Sequence, residues 1–264
     1  MICAGIDGGS RALKIVILEC KSRRVLAAGV LDQGVDHDGL ARRLLDDLLK
    51  EAGVERRRVK RIVATGYTRN AITSADTTVT EITCHAAGVH HEMPGAQTVV
   101  EIGGQDSKLL RLNPDGSVRD FAMNDRCAAG TGRFLEVVAT RLGAGLQDLG
   151  DMARAAASPS PISSMCVVFA ETEIIGLLAS GAPPADIVAG VQASVASRVA
   201  SMMGRGLAEP VVFTGGVAMI PGMAEAIAAA IKTPVQTVPR PQLTGALGAA
   251  LIACRQTRSH AGCP

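Results

Sequence analysis

The 264-residue chain has no tryptophan, one tyrosine (Tyr67) and four phenylalanines. With so little aromatic bulk, the core must be packed from Val, Ile, Leu, Ala and Met. The aromatic platforms on which nucleic-acid bases stack are missing. A dominant charge is missing too: 27 Lys and Arg stand against 25 Asp and Glu. No basic patch is interleaved with aromatics, so no nucleic-acid partner is expected. No apolar run reaches the roughly 20 residues of a membrane span. Met1–Asp7 reads as a strand, without the basic stretch of a leader. The expectation is a cytoplasmic protein with no membrane association. Seven cysteines, odd in number and irregular in spacing, do not make the framework of a secreted disulfide scaffold. Reduced thiols are the default expectation, with metal ligation as the alternative.

What is present is a sequence that is 47% hydrophobic, long enough for one large domain or two modest lobes. Strand-like runs at 2–6, 12–18 and 24–30 suggest a meander. Leu40, Leu44, Leu45, Leu48 and Leu49 stand at helical spacing, and 59–65 returns to strand. Residues 76–91 favour helix. From Thr98 the opening pattern recurs: strand, Gly/Asp turn, strand with a trailing Lys. We therefore expect two similar lobes, 1–95 and 96–240, with a small-residue helix at 243–255 packing back on the first. Helices are expected at 131–142, 166–179, 186–204 and 222–231. The last ten residues read as frayed.

Three glycine turns each follow an apolar strand: Asp7-Gly8-Gly9-Ser10, Glu101-Ile102-Gly103-Gly104-Gln105-Asp106 and Thr214-Gly215-Gly216. Glycine lets backbone N–H groups come close to phosphate oxygens, and a neighbouring carboxylate can hold magnesium or its waters. Neither the P-loop spacing nor Gly-x-Gly-x-x-Gly opening a helix occurs. The first two turns lead into strands, so facing β-hairpins fit better than either of those folds.

Cys127 and Cys166 each stand where a helix is expected to begin. The N-terminal end of a helix stabilises a thiolate, and N–H donors tune a bound cluster. Their separation is far from a Cys-x-x-Cys spacing, and the spacing alone does not establish joint ligation. Cys3, Cys20, Cys84, Cys254 and Cys263 read as small buried hydrophobes. His85, His90 and His91 lack the spacing of a zinc set and read as surface or capping residues. Glu171 and Glu173 read as a solvated or partner-facing edge, and Arg198 and Arg205 as surface charges.

Taken together, the chain resembles the acetate kinase, sugar kinase, Hsp70 and actin superfamily. More narrowly, it resembles the activators of 2-hydroxyacyl-CoA dehydratases and the ATP-binding subunits of benzoyl-CoA reductase. The resemblance rests on Gly5-Ile6-Asp7-x-Gly9-Ser10 with Lys14, Ala64-Thr65-Gly66-Tyr67-x-Arg69-Asn70 and Glu81-Ile82-x-Cys84-His85. It continues through Ile102-Gly103-Gly104-Gln105-Asp106, Met123-Asn124-Asp125-x-Cys127 to Phe134, and Cys166-x-Val168-Phe169-Ala170-Glu171. Thr214-Gly215-Gly216-Val217-Ala218 and Gly245-Ala246-Leu247-Gly248-Ala249-Ala250 complete it. The cysteine motifs are the specific part; the glycine turns alone give only the superfamily.

The resemblance implies an α/β fold of two ribonuclease-H-like lobes with ATP or ADP and magnesium between them. Gly9, Ser10, Arg11, Ala12 and Lys14 would form the first phosphate loop, and Gly103, Gly104 and Gln105 the second. Gly215, Gly216 and Gln242 would serve the adenosine side, and Asp7, Lys14, Glu101 and Asp106 the hydrolysis. Glu101 stands where the family usually has Asp. Cys127 and Cys166 would supply half the ligands of a 4Fe–4S cluster, one per homodimer. The implied function is an ATP-dependent one-electron activator, with ferredoxin or flavodoxin as donor and an acyl-CoA dehydratase or reductase component as acceptor. The alternatives are a subunit of a benzoyl-CoA reductase-like complex, a sugar kinase of the superfamily, or a nucleotide-binding regulator.

Overall fold

The structure, a computed structural model, describes residues 1–163, 166–204 and 207–261. Ser164 and Met165 of the second cysteine motif, Arg205 and Cys263 lie outside the described residues. The chain divides into two units. The first comprises Met1–Gly95, Leu112–Val118 and the chain from Gln242; the second comprises Ala96–Arg111 and Arg119–Pro241.

In the first unit, β1 (Ile2–Gly8), β2 (Ala12–Glu19) and β3 (Arg24–Asp32) form an antiparallel meander. Every residue of β1 is buried, as expected of a central strand covered on both faces. After α1 (His37–Glu51), β4 (Val59–Thr65) joins β1 in parallel and β5 (Thr77–Thr78) joins β4. The sheet order is β3-β2-β1-β4-β5. Asp36 caps α1 by accepting from the Gly39 N–H. The helix then buries Ala41, Leu45, Leu48 and Leu49 over Ile6, Leu13, Ile15 and Ile17. Against the other face lie α2 (Glu81–Glu92) and the terminal helix (Thr244–Ala261). The terminal helix is built of small residues because it touches α2 closely: a Cβ on Gly248 would lie 1.8 Å from the Cys84 carbonyl oxygen. It continues to Ala261, into the last ten residues, which the sequence suggests are frayed.

The second unit repeats this plan. β6 (Thr98–Ile102), β7 (Ser107–Leu112) and β8 (Val118–Asn124) form its meander, and β9 (Val211–Thr214) and β10 (Val235–Thr237) extend it in parallel. The order β8-β7-β6-β9-β10 has the same connectivity as the first sheet. Its helices are α3 (Gly132–Leu142), α4 (Leu149–Arg154), α5 (Val167–Ala179), α6 (Pro184–Met203) and α7 (Met223–Ile231). Phe134, Leu135 and Val138 of α3 meet Val191 and Val195 of α6 over Ile102 and Phe213. β8 and α4 are not expected from the sequence, whose patterning there is weak. Among the described residues, no helix is long and apolar enough to cross a membrane.

Candidate functional site

The register of the sheets builds two equivalent corners. In the first, Asp7 pairs across the hairpin with Lys14 and across the parallel edge with Thr65. In the second, Glu101 pairs with Lys108 and with Thr214. Each acid is followed by the hairpin turn, and the parallel partner strand is followed by Gly66 or Gly215.

At the first corner, the Gly9 N–H donates to the Ala12 carbonyl (3.1 Å), closing a turn that holds Ser10 and Arg11. Gln33 Nε2 donates to the Gly9 carbonyl (2.9 Å) and steadies the turn. Arg11 reaches Asp32 at 3.6 Å on the surface. Lys14 Nζ donates to Asp7 Oδ2 at 3.2 Å. Asp7 is buried, and its Oδ1 has no hydrogen-bond partner. Gly66, at φ +91°, backs onto that oxygen: a Cβ there would lie 2.5 Å from Asp7 Oδ1. Gly245 closes the other side, with its Cβ position 2.9 Å from Asp7 Oδ2 and 3.2 Å from His85 Nε2. A buried carboxylate oxygen without a donor is costly. Bound magnesium or its water would satisfy it, as oxygen donors of this hard type do.

At the second corner, the Gly103 N–H donates to the Asp106 carbonyl (2.9 Å). Lys108 Nζ donates to Glu101 Oε2 at 3.0 Å and to Asp106 Oδ2 at 2.7 Å. Gly215, at φ +94°, packs on Glu101; its Cβ position is 2.7 Å from Oε1 and 2.3 Å from the Ile102 carbonyl oxygen. The Pro241 carbonyl, just before Gln242, accepts from the Gly215 N–H (2.9 Å) and Thr214 Oγ1 (2.8 Å). Gly216 opens a 3₁₀ turn to Met219. The turn at Gly103 and Gly104 is also tied to α3: their carbonyls accept the Gly132 and Arg133 N–H groups, both at 2.9 Å. Gln105 is exposed at the tip. Lys108, seen in the sequence only as part of a repeat, is the ionic centre of this corner.

Cys127 precedes a single 3₁₀ turn, Ala128–Gly130, not a helix. Thr131 is extended, so α3 starts only at Gly132. The helix-dipole argument therefore does not apply at Cys127. Asn124 brackets this residue instead, accepting from its N–H (3.1 Å) and donating to its carbonyl (2.8 Å). Cys166 is exposed and directly precedes the 13 residues of α5. Next to it, Val168 and Phe169 are 67% and 68% exposed. Glu171 pairs with Arg141, and Glu173 accepts from the Ser163 N–H (3.0 Å) and Oγ (2.7 Å). These glutamates are thus engaged, not a solvated edge.

Two other expectations change. Cys20 and Cys254 form a disulfide with Cα atoms 5.4 Å apart, because the terminal helix returns over the end of β2. His85 is buried, with Nδ1 2.9 Å from Thr244 Oγ1, because α2 lies under the terminal helix. Cys84 is buried as expected, and burial pushes its thiol up to about 12 against the opposing hydrogen bond of Thr65.

The chain is 44% identical to the activator of lactoyl-CoA dehydratase of Anaerotignum propionicum over 254 residues, covering 96% of this chain and 97% of that protein. The activator of 2-hydroxyisocaproyl-CoA dehydratase from Clostridium difficile, solved with bound ADPNP, superposes with a TM-score of 0.93. Its identity is 41%, over 99% of this chain and 97% of that one. Component A of the (R)-2-hydroxyglutaryl-CoA dehydratase of Acidaminococcus fermentans gives 0.92 at 39% identity, over 98% and 99%. With its paired hairpin corners and duplicated sheets, the chain belongs to the BadF/BadG/BcrA/BcrD ATPase family, whose pattern it matches over residues 4–253.

Proposed function

We propose that this protein is an ATP-dependent one-electron activator of a 2-hydroxyacyl-CoA dehydratase-type partner. It acts as a homodimer in which Cys127 and Cys166 of each chain hold one shared 4Fe–4S cluster. The observation that carries this reading is the tie between the Gly103–Gly104 turn and the first N–H groups of α3. That tie joins a phosphate-type turn to the segment that bears Cys127. Packed, hydrogen-bonded elements carry coupling between two sites when they have two discrete arrangements that both sites bias.

The two hairpin turns are the proposed phosphate loops. Lys14, partly exposed and paired with one carboxylate, offset by a single charge, is the cation suited to a phosphate oxygen. Asp7, Glu101 and Asp106 are the oxygen donors suited to magnesium and to orienting a water. Hydrolysis in such a site rests on positioning and electrostatics. A change in the Gly103–Gly104 turn between nucleotide states would shift Gly132 and Arg133, and through them the short turn after Cys127. For ATP to bias that arrangement, its binding must differ between the two positions.

Cys127 and Cys166 suit a surface cluster. They are the two cysteines among the described residues that are not buried. A 4Fe–4S cluster takes four thiolates, and two from each of two copies complete it. The exposed Val168 and Phe169 give a second copy an apolar surface beside Cys166. When bound, the cluster supplies a one-electron carrier; ferredoxin or flavodoxin is the proposed donor and the dehydratase the acceptor.

The test is reconstitution without oxygen. Chain, reductant, MgATP and a 2-hydroxyacyl-CoA dehydratase should give dehydration that depends on ATP hydrolysis, and Lys14→Met should remove it. Activation that persists with the non-hydrolysable ADPNP would contradict the proposal.

A further inference from the structure

The proposed function leaves one group of sulfurs unused. Among the described residues, the Sγ atoms of Cys3, Cys20 and Cys254 all lie within 4.8 Å of one another, and all three residues are buried. Cys3 is on β1, Cys20 follows β2 and Cys254 is on the terminal helix, so three separate parts of the first unit converge there. Two of the sulfurs form the disulfide and the third stands beside it as a thiol. Thr257 Oγ1 lies 3.6 Å from Cys3 Sγ and donates its own hydrogen to the Ala253 carbonyl (2.7 Å). Its lone pairs are therefore left to face the sulfur.

We propose that reducing the Cys20–Cys254 bond opens a buried metal site for one divalent thiophilic ion of the zinc class. Cys3, Cys20 and Cys254 are its thiolate ligands and Thr257 Oγ1 is the fourth donor. The dimensions suit it. Zinc–sulfur bonds of about 2.3 Å place the sulfurs of a tetrahedral site roughly 3.8 Å apart, and a sulfur and an oxygen ligand roughly 3.6 Å apart. The donor set selects the ion: three sulfurs with neither imidazole nor carboxylate exclude magnesium and calcium and favour soft or borderline cations. The surroundings suit the charge. Three thiolates around a divalent ion leave one net negative charge in an apolar shell. Burial raises the Cys3 thiol above its ordinary range, and the hydrogen bond of Thr257 and the Arg61 guanidinium act against that rise. Arg61 Nε is itself a buried nitrogen with no hydrogen-bond partner.

The chemistry has two steps. A dithiol reductant gives two electrons and two protons to the Cys20–Cys254 bond and closes to its own cyclic disulfide. The divalent ion then displaces three thiol protons, which leave to solvent. The disulfide fastens the terminal helix to the end of β2, and the metal would fasten it to β1 as well. That same helix carries Gly245 against Asp7 at its other end.

The test uses the full chain with Cys127→Ser and Cys166→Ser, so that those thiols do not compete. Cadmium is the probe, read by its thiolate charge-transfer absorption and by native mass spectrometry without oxygen. The reduced chain should take up one cadmium per chain with release of protons, and the oxidised chain none. Cys3→Ser, which leaves the disulfide pair intact, should abolish uptake, and added cadmium should raise the unfolding temperature of the reduced chain only. No uptake by the reduced chain would overturn the proposal, as would equal uptake by the oxidised one or uptake unchanged in Cys3→Ser. Uptake of silver(I) with refusal of cadmium would overturn the assignment to the zinc class.

Discussion

In the first unit, Lys14 answers one carboxylate, Asp7, at 3.2 Å, and its side chain is 15% exposed. In the second, Lys108 answers two, Glu101 at 3.0 Å and Asp106 at 2.7 Å, and is 2% exposed. The strand order, the register and the flanking glycine are the same at both corners; the charge is not. The first corner is neutral with an accessible ammonium group, whereas the second carries one excess negative charge around a sealed one. The duplicated scaffold thus holds its two lysines in different settings: one is partly exposed beside a single acid, the other is buried between two. In cysteine the units also differ. The first buries Cys3, Cys20, Cys84 and Cys254, while the second presents Cys127 and Cys166.

The largest effect should come from removing the sealed lysine. Lys108→Met leaves Glu101 buried without its cation and should cost about 3–5 kcal/mol of stability, read from the denaturant midpoint. Lys14→Met should cost clearly less stability while abolishing ATP turnover. Equal losses of stability in the two variants would break the comparison.

Next come the paired glycines. Gly66→Ala and Gly215→Ala each force a side chain into a positive-φ position against a carboxylate. Each should cost about 1–3 kcal/mol and weaken nucleotide binding, measured by calorimetry. A loss confined to Gly215→Ala would show that the two corners are not equivalent.

Glu101→Asp should act more gently. It keeps the charge but draws the carboxylate one methylene away from Lys108, lengthening a 3.0 Å bond. ATP turnover should fall by about tenfold or less, the worth of one ordinary hydrogen bond. A complete loss would make the extra reach of Glu101 essential to the chemistry.

The smallest effect on stability should be at Cys166. In metal-free protein, Cys166→Ala should stay within about 0.5 kcal/mol of the parent, as an exposed position does. Iodoacetamide should modify Cys166 but leave Cys84, whose thiol stays protonated well above neutral pH. Rapid alkylation of Cys84 would contradict the burial of the first unit's thiols.

Much of this was legible in the sequence for a local reason. Asp7, Lys14, Glu101 and Lys108 sit on adjacent strands of tight hairpins, so a short motif carries both sides of each contact. Cys127 and Cys166 stood out through motifs that also lie in one stretch. The parts that escaped are made by distant segments. Thr65-Gly66 is the counterpart of Thr214-Gly215 only because β4 lies in register with β1, and no local pattern marks a parallel register. His85 is buried by a helix that begins at Thr244. Cys20 meets Cys254 across 234 residues. The single 3₁₀ turn after Cys127 replaced a helix start because Thr131 is extended, which helical propensity alone does not reveal.

The claim that the second unit's two cysteines hold the electron carrier is tested most directly by iron content with electron resonance. Protein prepared without oxygen should carry about two irons per chain, as one 4Fe–4S cluster shared by two chains requires, with a reduced-cluster signal. Iron and signal should fall to background in Cys127→Ala and in Cys166→Ala, and survive in Cys84→Ala. Full iron retained in both Cys127→Ala and Cys166→Ala would contradict the account.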